Sequence, residues 1–341
     1  MLILGIETSC DDTTAAVVEA RGGRFIIRSS VVLSQIKTHR QFGGIVPEVA
    51  ARKHAENILP VIDTALRQAK VQLSEIDRIA VTRGHGLMTS LMVGVETAKT
   101  LSYLNTIPLV GCMHLEGHML SAYFSTRGDR WFKFPALSLV ASGGHTELIV
   151  MQGIGKYKKI GGRLDDAAGE CFDKVAKILG LGYPGGPAVS ARAKAGNPDK
   201  FSLPSPMLKR PGYDFSFSGL KTAVLYYVQK HGRPAGRALS DFCATAEKAI
   251  TDVLVAKTIR AAAAYQVRSI TLGGGVAANR RLRADLVSVA AEQLPAVDVR
   301  ITRPEYCMDN AVMMALVGFY GQPVKDGWKR ITADPNFEIS N

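Results

Sequence analysis

The order of strand-like and helix-like segments occurs twice along the chain, and this repetition limits the possible fold more than any other feature. Three apolar segments separated by glycine and charged residues predict a three-strand meander: Leu2 to Ile6, Thr13 to Val18 and Phe25 to Leu33. A second meander begins with the strand-like segment 136–141, turns at Ser142-Gly143-Gly144 and returns over 145–151. The pattern predicts an internal duplication.

Helical patterns follow each meander and alternate with short apolar segments, which predicts an α/β protein with parallel strands. Buried parallel strands are predicted at 79–82 and 108–111, and a further buried strand is predicted at 269–272. Helices are predicted at 46–69, 90–104, 165–179, 241–264, from about 279 to 292, and after Asp309. The segment 183–212, rich in proline and glycine, is predicted to be mainly loop or short helices.

A chain of 341 residues with 47% hydrophobic residues can bury the cores of two lobes. We place the first at 1–130 and the second at 131–341, with the boundary near Arg127–Lys133. The last helix, after Asp309, is left free to pack back on the first lobe.

The net charge of +12 favours an anionic partner such as RNA, although a solvated basic surface is an equal explanation of charge alone. Clusters at Arg127–Lys133, Lys156–Arg163 and Arg280–Arg283 favour nucleic acid as the anionic partner.

The five cysteines include no Cys-x-x-Cys pair, which favours a reducing compartment. The run Ala311 to Gly321 is too short to span a bilayer, so a cytoplasmic protein with no membrane partner is expected.

A pair of histidines, His114 and His118, is spaced to bind one metal ion if the segment is helical, because residues i and i+4 share a helix face. Asp309, just before a helical segment, is the best-placed third ligand. Two imidazoles and one carboxylate suit iron or zinc, while an ordinary structural histidine pair is the alternative. Glu116 lies two residues after His114, whereas zinc proteases of the His-Glu-x-x-His type have it one residue after, so peptide hydrolysis is disfavoured.

Three glycine-rich turns, each predicted after a strand, are candidate nucleotide-binding loops because glycine lets backbone amides approach phosphates closely. They are Ser142 to His145, Gly185 to Pro187, and Gly273 to Gly275 with Asn279 beyond it. None matches the P-loop or Rossmann pattern, and ordinary turn formation explains any single one.

Carboxylates form two further candidate groups. Asp11 and Asp12 follow the first strand and could bind a metal-phosphate unit or act as a base. The sequence predicts that one helix carries four carboxylates: Asp165, Asp166, Glu170 and Asp173. A helix N-terminus explains the first two, so only Glu170 and Asp173 require a further explanation. The segment Asp214 to Lys221 is unusually rich in aromatic and hydroxyl side chains, and packing in the core is the simplest explanation of this composition.

Taken together, these motifs closely resemble the TsaD family of tRNA adenosine threonylcarbamoyltransferases, in its bacterial and mitochondrial branch. The matching segments, in chain order, are 5–11, 43–48, 114–118, 142–145, the helix of Asp173, 183–187, 214–221 and 273–279. The resemblance extends from the first residues to about Leu316.

The resemblance implies an actin-like ATPase fold (the sugar kinase and heat-shock ATPase fold) of two duplicated RNase H-like lobes with a central cleft. It implies that His114, His118 and Asp309 hold one metal, with Fe²⁺ favoured and Zn²⁺ allowed by the ligands. It also implies that threonylcarbamoyl-adenylate binds to Val140, Ala141, Ser142, Gly143, Gly144, Asp173, Gly186 and Asn279.

The implied reaction transfers the threonylcarbamoyl group to the exocyclic N6 amine of the adenosine next to the anticodon, in tRNAs that read codons beginning with A, and releases AMP. The implied protein partners are TsaB-like and TsaE-like proteins, with a TsaC-like enzyme making the adenylate. No catalytic residue is assigned, and Asp11 is the candidate general base. Two positions depart from the family pattern: Asp12, where glutamate is common, and His85, where proline is common.

Three alternatives remain. A non-catalytic scaffold of the same fold is disfavoured because all three candidate metal ligands are present. A metalloprotease is disfavoured by the position of Glu116, and a sugar or acyl kinase by the absence of a visible sugar-binding motif.

Overall fold

The structure is a computed structural model, and it describes residues 1–337. Its strands are β1 (Leu2–Glu7), β2 (Asp12–Arg21), β3 (Arg24–Ser34), β4 (Arg78–Gly84), β5 (Leu109–Met113), β6 (Phe124–Ser125), β7 (Gly128–Asp129), β8 (Ala136–Ala141), β9 (Thr146–Gly153), β10 (Lys156–Gly161), β11 (Ser269–Gly273) and β12 (Asp298–Ile301).

The α-helices are α1 (Ile36–Arg40), α2 (Pro47–Ala69), α3 (Met88–Asn105), α4 (His114–Leu120), α5 (Ala168–Leu179), α6 (Gly185–Ala193), α7 (Ser218–His231), α8 (Gly236–Ala264), α9 (Arg280–Gln293), α10 (Ala311–Tyr320) and α11 (Gly327–Arg330). Short 3₁₀ turns lie at Leu73–Glu75, Ser121–Tyr123, Gly275–Ala278 and Pro304–Tyr306. No helix within residues 1–337 is both long enough and apolar enough to cross a membrane.

The first compact unit comprises residues 1–124, 128–130 and 308–337. Its five-stranded sheet has the order β3-β2-β1-β4-β5, with β1, β2 and β3 antiparallel and β4 and β5 parallel to β1. β1 and β4 are almost wholly buried, which explains their continuous apolar sequences. The last two helices, α10 and α11, belong to this unit.

The second unit comprises residues 125–127 and 131–307. Its sheet has the order β10-β9-β8-β11-β12, again with three antiparallel strands followed by two parallel ones. The strand order of the first unit is therefore repeated, as the duplicated sequence pattern predicted. The third strand of this meander, β10, coincides with most of the basic cluster Lys156–Arg163, whose charge obscured its strand pattern.

Close backbone contacts hold α10 against the first sheet. A Cβ atom on Gly5 of β1 would lie 2.1 Å from the carbonyl oxygen of Ala311, and one on Gly318 would lie 2.3 Å from the Cβ of Ala80. Asn310 begins the helix, because its side chain accepts a hydrogen bond from the backbone N–H of Met313. Asp309, immediately before this cap, is thereby held next to the sheet.

One predicted helix begins later than expected. The sequence assigned residues 165–179 to a helix, but α5 begins at Ala168. Asp165 instead accepts hydrogen bonds from the backbone N–H groups of Phe217 and Ser218 and from the hydroxyls of Ser216 and Ser218, at the start of α7. A side chain that caps another helix cannot be recognised from local periodicity.

Candidate functional site

The two histidines lie on one face of α4, the helix that follows β5 directly. Both side chains are buried, and their ring centroids are 4.6 Å apart with an interplanar angle of 86°. The strand-to-helix junction places His114 at the first helical residue and His118 one turn later. The helical spacing predicted from the sequence is therefore present in the structure.

Asp309 lies beside both rings, although it is distant in sequence. Its Oδ1 atom is 3.2 Å from Nε2 of His118 and 3.5 Å from Nε2 of His114. The candidate ligand atoms of the three residues all lie within 4.8 Å of one another. The group could therefore hold one metal ion.

The environment of His118 provides a test of this fit. Its side chain is fully buried, and neither ring nitrogen makes a hydrogen bond with suitable geometry, even though Asp309 is near Nε2. A buried polar atom without a hydrogen bond costs about 1–3 kcal/mol. A metal ion bound at Nε2 would satisfy that atom, so the residues present fit a metal and the two-histidine, one-carboxylate donor set suits iron or zinc.

Glu7 supports the metal group from the end of β1. Its side chain is fully buried, and its Oε2 atom lies 2.9 Å from Nδ1 of His114 and 2.6 Å from the hydroxyl of Thr82. Its Oε1 atom accepts a hydrogen bond from the backbone N–H of Ser9, whose hydroxyl lies 3.1 Å from Nδ1 of His114. An acceptor at Nδ1 leaves the lone pair of Nε2 for a metal.

Sequence reasoning assigned no such role to Glu7. The available signal was an ionisable residue at the end of an otherwise apolar buried strand. Such a residue requires a partner in the core, but the sequence does not identify the partner.

The two histidines have opposite pKa shifts. Burial acts to lower the pKa of His114, but the carboxylates of Asp309 and Glu7 outweigh it and raise this pKa to about 9. Burial lowers the pKa of His118. The difference arises because His114 faces two carboxylates closely, whereas His118 lies beside one.

Asp11 and Asp12 add negative charge to this part of the first unit. Burial raises the pKa of Asp12 to about 7, and the charges of Asp309, Asp11 and Glu7 reinforce the rise. Burial also raises the pKa of Asp11, again reinforced by Asp309. Several carboxylates crowded in a buried region are stabilised by a cation, which agrees with a metal at the histidines.

A second group of predicted site residues comes together in the second unit, at the carboxyl ends of β8 and β11. These strands are parallel neighbours, with Val140 paired to Gly273. Gly274, with φ of +89°, packs so closely that a Cβ atom there would lie 2.4 Å from the carbonyl oxygen of Ala141. Carboxyl ends of parallel strands are common ligand sites in α/β proteins.

The turn that follows β8 has open space beside its two glycines, Gly143 and Gly144. Ser142 closes it, donating its N–H to the carbonyl of His145 at 2.8 Å, while its own carbonyl accepts from Gly169 at 3.1 Å. A Cβ atom on Gly143 or Gly144 would meet no atom within 4 Å. These glycines therefore expose backbone to whatever binds beside the turn.

Asp173 on α5 contacts the start of α6. Its Oδ1 atom accepts a hydrogen bond of 2.6 Å from the backbone N–H of Gly185, where a Cβ atom would lie 2.5 Å from the Cα of Asp173. Burial raises the pKa of Asp173, although the backbone N–H groups of Gly185 and Gly186 oppose the rise. The structure thus brings Asp173 and Gly186 together.

Asn279 lies between the 3₁₀ turn after β11 and α9, and its side chain caps α9 by accepting from the backbone N–H of Leu282 at 2.9 Å. Its amide also contacts Ser190 on α6 and Glu247 on α8. The predicted residues Val140, Ala141, Ser142, Gly143, Gly144, Asp173, Gly186 and Asn279 are therefore linked through α5, α6 and the two strand ends. Sequence reasoning did not identify Ser190 and Glu247.

Several other singled-out residues have structural partners. Glu170 forms an ion pair with Lys174, which also pairs with Asp166. Phe215 and Phe217 are fully buried in the core of the second unit, as core packing predicted for the segment Asp214 to Lys221.

Each basic cluster also contains a residue that is engaged within the second unit. Arg127 pairs with Asp298, Lys159 with Glu147, and Arg281 with Asp285. Part of the basic charge therefore stabilises the fold.

Comparison with known proteins decides between the alternatives. The model of the family described as "TsaD: tRNA N6-adenosine threonylcarbamoyltransferase" matches residues 26–316. This chain belongs to the TsaD family. The tRNA N6-adenosine threonylcarbamoyltransferase of Geobacter sulfurreducens is 49% identical over 94% of this chain and 92% of its own length. That of Listeria monocytogenes serotype 4b is 48% identical over 93% of this chain and 90% of its own length.

Among solved structures, "YeaZ from Pseudomonas aeruginosa" aligns with a TM-score of 0.32 and 18% identity, covering 47% of this chain and 64% of that chain. Family membership and the duplicated strand order confirm the actin-like ATPase fold. This TsaD family member is a transferase that modifies N6 of adenosine in tRNA with a threonylcarbamoyl group. The scaffold and metalloprotease alternatives are not favoured.

Proposed function

We propose that the donor is threonylcarbamoyl-adenylate and that it binds to Val140–Gly144, Asp173, Gly186 and Asn279. The proposed acceptor is the adenosine next to the anticodon in tRNAs that read codons beginning with A. The support is geometric: two glycine turns at neighbouring strand ends, the open backbone of Gly143 and Gly144, and the contact of Asp173 with α6 occur in one part of the second unit. Exposed backbone amides of this kind suit an adenylate.

The proposed metal ligands are His114, His118 and Asp309, and the proposed ion is Fe²⁺, with Zn²⁺ also compatible with the ligands. The observation that carries this proposal is the fully buried His118, whose ring nitrogens make no hydrogen bond and whose Nε2 atom lies 3.2 Å from Asp309. A bound divalent ion would supply positive charge that neutralises a phosphate. Glu7 would hold His114 in the tautomer that ligates through Nε2.

The proposed transfer forms one bond and breaks another. The N6 amine of adenosine attacks the carbamoyl carbon of the donor, the bond from that carbon to the phosphate oxygen breaks, AMP leaves, and the amine loses a proton. An aromatic exocyclic amine is a weak nucleophile, so positioning and stabilisation of the leaving phosphate supply most of the rate. Asp11 is proposed as the group that accepts the proton.

The proposed protein partners are a TsaB-like and a TsaE-like protein, with a TsaC-like enzyme that supplies the adenylate. They follow from the bacterial branch that the sequence resembles. Because the acceptor is tRNA, the proposed place of action is the cytosol.

The test is a reaction of the full chain, loaded with Fe²⁺, with TsaB, TsaE, threonylcarbamoyl-adenylate and unmodified tRNA, in which mass spectrometry measures the modified nucleoside. His118→Ala is compared with His231→Ala, a matched change of an exposed histidine on α7. We expect product from the wild type and from His231→Ala, and loss of both product and bound metal in His118→Ala. Full metal content and full activity in His118→Ala would refute the metal site, and no product from the wild type would refute the proposed donor.

A further inference from the structure

Glu247 is a buried carboxylate in the middle of α8 whose partners are uncharged. Glu247 is 8% exposed, and within residues 1–337 no lysine or arginine forms a salt bridge with its carboxylate. A buried carboxylate without a cationic partner must be stabilised by hydrogen-bond donors. In this protein the donors are two side chains from other helical segments.

The network consists of Glu247, Ser190 and Asn279. The Oε1 atom of Glu247 accepts from the hydroxyl of Ser190 at 2.6 Å and from Nδ2 of Asn279 at 2.7 Å. The Nδ2 atom of Asn279 also lies 2.9 Å from Oγ of Ser190. These contacts connect α6, α8 and the start of α9.

The chemistry of the three groups fixes where each proton lies. A carboxylate only accepts, so Ser190 donates its proton to Glu247 and accepts from Asn279. Both amide hydrogens of Asn279 then point to Ser190 and Glu247, and its Oδ1 atom accepts from Leu282 at 2.9 Å. The orientation of the amide is thus determined from both ends.

We infer that Glu247 is a positioning residue for the adenylate site, acting through Asn279. This inference rests on the proposed function, in which Asn279 contacts the donor. With its amide hydrogens engaged, Asn279 offers a ligand only the remaining lone pair of Oδ1, and Ser190 offers a lone pair of Oγ. The network therefore presents acceptors, which suit a hydroxyl group of the adenylate sugar and do not suit a phosphate oxygen.

The consequence for catalysis is an effect on binding. Without Glu247, one amide hydrogen of Asn279 loses its acceptor, and the side chain is held only by Leu282 and Ser190, so its position relative to the donor is less well fixed. We expect Glu247→Ala to raise the KM for threonylcarbamoyl-adenylate about tenfold or more, with kcat changed less than about threefold. Glu247→Gln retains an acceptor oxygen of the same reach, so its KM should stay within about threefold of the wild-type value.

The experiment measures KM, kcat, metal content and melting temperature for the Fe²⁺-loaded chain with its partners. The variants are Glu247→Ala, Glu247→Gln, Asn279→Ala and the double variant Glu247→Ala with Asn279→Ala. Glu292→Ala, a change of an exposed glutamate on α9, serves as the matched control. If Glu247 acts through Asn279, the KM of the double variant is no higher than that of Asn279→Ala alone, within about threefold, because the two changes remove one interaction.

Multiplied effects on KM in the double variant would overturn the inference, as would a lower melting temperature of Glu247→Ala with an unchanged KM. If Glu247→Ala does not fold, Glu247→Met takes its place, because it removes the acceptor for Asn279 while filling a similar buried volume. A KM for Glu247→Met within twofold of the wild-type value would then overturn the inference. If the wild type itself forms no product, the proposed function fails, and an active wild type with an unaffected Glu247→Ala refutes only the role of Glu247.

Discussion

Replacing Glu7 by Gln should weaken metal binding, although it removes only one charge and keeps the size of the side chain. All three groups around this carboxylate act as donors when a metal is bound: the backbone N–H of Ser9, the hydroxyl of Thr82 and Nδ1 of His114. A carboxylate can accept from all of them, whereas an amide has one accepting oxygen and one donating nitrogen. With glutamine at position 7, the amide N–H therefore faces at least one of these three groups, so that two donors point at each other.

Each orientation of the new amide has a cost. If its nitrogen faces Ser9, a buried N–H loses its acceptor, at about 1–3 kcal/mol. If its nitrogen faces His114, the imidazole must become an acceptor at Nδ1, which moves the proton of the neutral ring to Nε2, the atom that would bind the metal. Loss of a group that orients a metal-bound histidine typically lowers metal affinity 10- to 100-fold. That range corresponds to about 1.4–2.8 kcal/mol and agrees with the cost of one buried unpaired donor.

The assay is competition for Fe²⁺ or Zn²⁺ with a chelator of known affinity, on full-length wild type, Glu7→Gln and a control. Glu56→Gln is the control, since Glu56 is exposed on α2 and pairs with Lys53. We expect a 10- to 100-fold weaker affinity for Glu7→Gln and no change for Glu56→Gln. A Glu7→Gln protein that binds metal within twofold of the wild type would refute the role assigned to Glu7.

Three further outcomes are expected. Gly86→Ala should unfold at a lower temperature than the wild type and bind metal more weakly. The reason is that a Cβ atom at Gly86, whose φ is +151°, would lie 2.5 Å from the carbonyl oxygen of Ser9. A melting temperature and a metal content equal to those of the wild type would contradict this. Asp12→Asn should stabilise metal-free protein at pH 8 by up to about 4 kcal/mol, at 1.36 kcal/mol per unit of pKa, and by little at pH 4. The sign follows because the pKa of Asp12 is raised to about 7 in the folded protein, so its contribution to folding stability is fully present below the pKa of the unfolded chain and is lost as the pH rises through 7. Urea unfolding measures the free-energy difference between Asp12→Asn and the wild type at each pH. Equal differences at pH 4 and pH 8 would contradict this prediction. Adding Zn²⁺ to chelator-treated protein should raise the melting temperature of the wild type, measured by calorimetry, but not that of His118→Ala. A ligand at 100 times its dissociation constant stabilises the folded protein by about 2.7 kcal/mol.

Local sequence patterns predicted most of the elements, because strand and helix periodicity depends on neighbouring residues. The helix predicted at 46–69 is observed as Pro47–Ala69, and that predicted at 90–104 as Met88–Asn105. The strand β10, whose pattern was masked by charge, was missed, whereas α6 lies in the segment 183–212 that was predicted to contain loop or short helices. The early start assigned to α5 has a different cause, the long-range capping of α7 by Asp165.

The candidate sites divide in the same way. The spacing of His114 and His118 places two imidazoles on one helix face whatever the rest of the chain does, so the sequence alone determined this pair, together with the duplicated order of strands and helices. Only the tertiary structure decided that Asp309 meets the pair, that Glu7 orients His114, and that Glu247 meets Asn279. The physical reason is that local spacing sets the direction of a side chain along its own element, whereas contacts between distant residues depend on how sheets and helices pack.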